Sequence, residues 1–87
     1  MGTLSKASMT TCELKFHPFG ELDVNKAVDA AIDIIKSYDF DDVRVTPLST
    51  LVKGQTHEVM ALIQELYQTM DKDYTFALTI TLSNHCA

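Results

Sequence analysis

From Thr10 to Phe16 the chain alternates, with Cys12, Leu14 and Phe16 on one side and Thr11, Glu13 and Lys15 on the other. Period two predicts a half-buried strand. His17-Pro18-Phe19-Gly20 is expected to end it, because proline removes a ladder donor and glycine permits a turn. Beyond Asp23, a plausible helix cap, Val24, Ala27, Val28, Ala31, Ile32 and Ile35 recur at helical spacing as far as about Ser37. After the connection Tyr38–Asp42, Val43, Val45, Leu51 and Val52 support two short strands around a bend holding Pro47. Gly54 is expected to close this hairpin and Thr56 to cap a second helix, with Val59, Met60, Ile63, Leu66, Tyr67 and Met70 as its buried stripe. The clearest strand is the last: Tyr74, Phe76, Leu78, Ile80 and Leu82 alternate with Thr75, Ala77, Thr79 and Thr81.

The order β-α-β-β-α-β, with right-handed crossovers, predicts an α+β ferredoxin-like sandwich: a four-stranded antiparallel sheet with two helices on one face. Apolar strand faces then meet the helices. The other face carries Thr11, Glu13, Lys15, Arg44, Thr75, Thr79 and Thr81. Such a face can be solvated, as antiparallel sheets tolerate, or it can pair with a second subunit.

The 87 residues make one domain, 1–87, with residues 1–7 expected to be flexible. A domain this small buries only about 60% of its unfolded surface, so a homodimer or higher homo-oligomer is expected. A net charge of −5 argues against a nucleic-acid partner, which would need a basic face. No apolar stretch approaches bilayer-spanning length, and residues 1–7 lack the basic start and apolar core of a signal peptide. A cytoplasmic address follows by default, with no membrane insertion. The two cysteines, Cys12 and Cys86, have no zinc-site spacing. Cys86 is expected beyond the start of the first strand, too far from Cys12 for a disulfide.

Chemistry concentrates at the hairpin bend, where Thr46, Ser49 and Thr50 cluster. Such hydroxyls serve their own backbone or hold a ligand. The histidines suggest no metal site: with the first and third strands taken as parallel, His17 and His57 leave one edge of the sheet and His85 the other. Two histidines without a placed carboxylate make a poor zinc site. No spacing marks an acid–base pair or a nucleophile with its base.

Three segments carry a family likeness: Phe16-His17-Pro18-Phe19-Gly20, Pro47-Leu48-Ser49-Thr50-Leu51-Val52-Lys53-Gly54, and Thr79-Ile80-Thr81-Leu82-Ser83-Asn84-His85-Cys86. In their order and spacing the chain resembles the YkoF-like thiamine/hydroxymethylpyrimidine-binding proteins and related small thiamine-binding domain proteins. It departs from them at Lys53, where related proteins often carry an acid before the glycine. The resemblance implies non-enzymatic binding of thiamine or its hydroxymethylpyrimidine moiety, in salvage or import, with no cofactor. It singles out Ser49 and Thr50. An aminopyrimidine asks for a donor–acceptor edge, an apolar slot and an acid for its amino group, so Thr46, Glu13, His17 and Ser83 join as candidate contacts. The rival readings are a small dimeric α+β-barrel enzyme recruiting His17, Glu13 or Arg44, and an effector-sensing regulatory module. Metal chaperones need a paired-cysteine loop and RNA-binding relatives need exposed aromatics with basic charge, neither of which is present.

Overall fold

A computed structural model describes residues 9–20 and 24–84. Strand β1 spans Met9–Phe19, helix α1 Val24–Lys36, β2 Asp42–Val45, β3 Thr50–Gln55, helix α2 Thr56–Asp71 and β4 Thr75–Ser83. The strands form one antiparallel sheet in the order β2-β3-β1-β4. This is the expected ferredoxin-like α+β sandwich. Residues 1–7, the Asp23 cap, His85 and Cys86 lie outside the described residues.

Period-two alternation decides which side chains reach the core. Cys12 and Leu14 of β1 and Val52 of β3 are buried against Ala31 and Ile35 of α1 and Val59, Leu62, Leu66 and Met70 of α2. Phe16, Phe76, Leu78 and Ile80 pack around them. Burial pushes the Cys12 thiol up to about 11, because its thiolate would have to leave water.

Several boundaries differ from expectation. β1 continues through Pro18 to Phe19 and ends at Gly20, whose φ is +67°. Proline is tolerated there because β1 pairs with β3 only as far as Leu14, leaving one side without a strand partner. Gly54 does not close the hairpin but lies buried within β3. A Cβ on it would stand 2.6 Å from Cδ1 of Phe40, whose ring stacks on Tyr38 at 5.2 Å.

Thr56 is the first residue of α2, not its cap; Gln55 holds the cap position without a side-chain hydrogen bond. The Thr56 hydroxyl instead shares a 2.7 Å hydrogen bond with that of Thr10, which is buried at the same end of the sheet. On α2 the buried stripe is Val59, Leu62, Leu66 and Met70, while Met60 and Tyr67 are about half exposed. On α1 Val24 is exposed, and Val28 and Ile32 lie half-buried at the stripe's edge.

The first and third strands are antiparallel, not parallel. Met9 of β1 pairs with Gln55 of β3, so His17 and His57 leave opposite ends of the sheet. Right-handed crossovers make β1 parallel to β2 and β3 parallel to β4; β3, inserted between β1 and β2, must then oppose both. Among the described residues no group of three His, Cys, Asp or Glu could hold a metal ion.

Candidate functional site

The β2–β3 bend is a compact hydroxyl turn. The Thr46 amide donates to the Ser49 carbonyl at 2.8 Å. The Thr46 hydroxyl donates to the same carbonyl at 2.9 Å and accepts from the amides of Ser49 at 3.0 Å and Leu48 at 3.3 Å. Thr46 therefore serves its own backbone, the local use of a hydroxyl in a turn. Its contribution to a site is to hold the shape of the bend.

Ser49 and Thr50 are neighbours in sequence and point to opposite sides of the sheet. Ser49 reaches across to β1, its hydroxyl donating to Glu13 Oε2 at 3.2 Å. Thr50 opens β3, pairs with Leu14 and Val45, and is buried towards the helices. It takes no part in the hydrogen bonds of the turn.

Beneath the bend lies a cleft of about 100 Å³ between the sheet and α1. Leu14, Phe16, Val28, Ile32 and Val45 form its walls, Pro47 and Leu48 overhang it, and Thr50 and Ser49 contribute from the hairpin side. The cleft exists because β2 and β3 meet the bend at Val45 and Thr50 while β1 continues beyond Leu14, so the sheet narrows there from four strands to two. The bend partly covers the gap without filling it. An apolar cavity of roughly 150 Å³ admits a benzene ring. This cleft thus suits one aromatic ring after slight widening, not two.

Glu13 sits near the centre of the open sheet face, in a row running Arg44, Leu51, Glu13, Thr81 across β2, β3, β1 and β4. Arg44 is occupied by Asp42 at 3.0 Å in a solvent-exposed pair, which contributes little to stability. A hollow of about 240 Å³ beside this pair is lined by Thr11, Asp42, Arg44, Leu51 and Lys53. Its charged, open character fits an organic ring less well than the apolar cleft does.

The structure brings Glu13 and Ser49 together, with Thr46 and Thr50 beside them. It does not bring in His17 or Ser83. His17 is exposed and paired with Ala77, four residues along β1 from Glu13, or about 13 Å at strand spacing. Ser83 pairs with Thr11 towards the far end of the sheet.

Sequence reasoning missed the cleft walls. Val28 and Ile32 were legible only as core, although the edge of an apolar stripe can line a pocket as well as fill one. Leu48 gave a signal: no turn chemistry calls for leucine between Pro47 and Ser49, and it is 83% exposed.

The profile of a family described as thiamine-binding protein matches residues 12–83. The chain belongs to the thiamine-binding protein family. Both members of the Glu13–Ser49 pair and every wall of the cleft fall within the matched stretch.

Solved structures agree on the fold. A Thermotoga maritima protein provisionally assigned to thiamine biosynthesis or salvage is 26% identical with a TM-score of 0.78, over 86% of this chain and 82% of that one. A hypothetical protein of Methanocaldococcus jannaschii is 23% identical at a TM-score of 0.77, over 87% and 79% of the two chains. A Streptococcus pneumoniae protein is 17% identical at 0.78, over 86% and 84%. No curated protein matches the chain. No helix among the described residues is long and apolar enough to cross a membrane.

Proposed function

We propose that this chain binds thiamine or its hydroxymethylpyrimidine moiety without transforming it, holding the pyrimidine ring in the cleft under the β2–β3 bend. The observation that carries this reading is a one-ring apolar cleft whose hairpin side carries the hydroxyls of Ser49 and Thr50, with Glu13 holding Ser49 from the open face of the sheet. An aminopyrimidine edge offers an amino donor next to a ring-nitrogen acceptor. The Ser49 hydroxyl, turned from Glu13, would donate to the ring nitrogen, Thr50 would meet the ring from the hairpin side, and Glu13 would set the orientation of Ser49 from the open face. A thiazolium ring would remain outside, where a net charge of −5 favours a cation. Family membership and the Thermotoga relative support thiamine salvage or import as the setting. The reading takes the protein as cytoplasmic and homo-oligomeric.

Isothermal titration with thiamine and, separately, hydroxymethylpyrimidine tests the proposal. Saturable binding of either, with the ligand recovered unchanged, is the expected result. Hydrogen bonds to charged groups contribute about 1.5–3 kcal/mol, so combining Glu13→Gln with Ser49→Ala should weaken binding at least tenfold while the fold persists. Unchanged affinity would move the site elsewhere. Absence of both heat and thermal shift would remove the function, and conversion of the ligand would turn the reading towards the dimeric-barrel enzyme.

A further inference from the structure

Leu48 is the most exposed of the large apolar side chains among the described residues, at 83%. A single exposed leucine is ordinary on a protein surface. This one has company: Val45, 47% exposed, and Pro47 stand beside it, and all three border the cleft under the bend. The buried core closes without Leu48, so packing does not explain it.

Its backbone is held in place. The Thr46 hydroxyl accepts from the amides of Leu48 and Ser49, and the Thr46 amide and hydroxyl both donate to the Ser49 carbonyl. Ser49 is in turn tied to Glu13 of β1. The bend thus presents an apolar side chain at the cleft mouth from a fixed platform, which lowers the ordering cost of any contact it makes. Among the described residues no charged side chain lines the cleft.

We infer that Leu48 is a specificity-determining residue of this cleft, covering the outer face of a single neutral ring and favouring a one-ring ligand over one that carries a second, cationic ring. The inference rests on the proposed binding of a pyrimidine under the bend. A neutral ring seated against Val28 and Ile32 keeps one side towards the mouth, and contact with Leu48 takes both apolar surfaces out of water. A thiazolium joined to that ring has to leave through the same mouth. There it competes with Leu48 for space, and contact with the leucine strips water from a cation. The acidic chain still attracts the cation at longer range. The two-ring ligand therefore binds but gains nothing from Leu48.

Titration of wild type, Leu48→Ala and Leu48→Met with hydroxymethylpyrimidine and with thiamine reads the ratio of the two affinities. Leu48→Ala should weaken hydroxymethylpyrimidine about tenfold and thiamine less than about twofold. Leu48→Met, which keeps the apolar volume, should restore most of the loss. Met60→Ala truncates an exposed apolar side chain of α2 outside the cleft and should leave both affinities unchanged. Thermal unfolding should be the same for all four proteins' folds at the bend, since Leu48 lies outside the core. Equal losses for the two ligands, no loss with Leu48→Ala, or a matching loss with Met60→Ala overturns the inference. If wild type binds neither ligand, the pyrimidine reading fails, and the same variants are titrated with benzyl alcohol and with benzyltrimethylammonium, a neutral ring and its cationic counterpart. A Leu48→Ala loss larger for benzyl alcohol then upholds the inference; an equal loss, or no binding of either probe, overturns it.

Discussion

The two ends of the sheet are built on opposite terms. Where β1 begins and β3 ends, Gly54 lies against Phe40 so closely that a single added carbon would clash. The nearby hydroxyls of Thr10 and Thr56 satisfy each other. At the β2–β3 bend, by contrast, Val45 and Leu48 are largely exposed, a cleft remains open, and Ser49 reaches out to a carboxylate. Close packing is what a small domain uses to stay folded. An incompletely filled end gives up some of that stability and leaves room for a ring. The comparison locates structural necessity at one end and binding at the other.

Substitutions at the closed end should therefore act on stability, and those at the open end on affinity. Leu62→Ala, which empties a fully buried core position, should cost about 2–5 kcal/mol in denaturant unfolding. Gly54→Ala should cost about 1–3 kcal/mol, as Phe40 is forced from its place over β3. Thr10→Val should cost about 1 kcal/mol by removing the partner of the Thr56 hydroxyl. Val28→Phe, which fills the cleft from α1, should change stability by less than about 1 kcal/mol yet abolish ligand binding by titration. If Val28→Phe instead unfolds the protein while Gly54→Ala is harmless, the contrast between the ends collapses.

The smallest effect belongs to a contact between the helices and the β2 side. The Tyr38 hydroxyl donates to Glu65 Oε1 at 2.5 Å, and this hydrogen bond, with some burial, pushes the phenol up to about 12 from 10.0. A raised folded-state pKa means the contribution is fully present below pH 10 and is lost as pH rises through about 12. In wild type that loss should appear as a modest fall in stability across this window. Tyr38→Phe should remove this share of the fall.

Much of this architecture was legible because it rests on periodicity. The alternation of Thr10–Phe16 and Tyr74–Leu82 and the stripe of α1 are consequences of side-chain geometry, and they lead to the observed sheet and helices. The stripe of α2 was legible only in part. Met60, Ile63 and Tyr67 and the true set Val59, Leu62, Leu66 and Met70 both satisfy helical spacing, so only packing against the sheet could choose between them. The site was less legible still. Period two sends Ser49 and Thr50 to opposite faces, which a motif read as a string conceals. The meeting of Ser49 with Glu13 spans 36 residues and depends on the antiparallel β1–β3 register, whose direction the sequence reading had reversed. The cleft follows from unequal strand lengths, set by where β1 and β3 actually stop.

The most direct test is a titration of isotopically labelled protein with hydroxymethylpyrimidine, following backbone amide resonances. The account predicts saturable shifts concentrated at Thr46–Thr50, Glu13, Val28 and Ile32, with Thr10, Gly54 and Thr56 unmoved. Shifts centred on the closed end or on the Asp42–Arg44 hollow, with the bend silent, would contradict it.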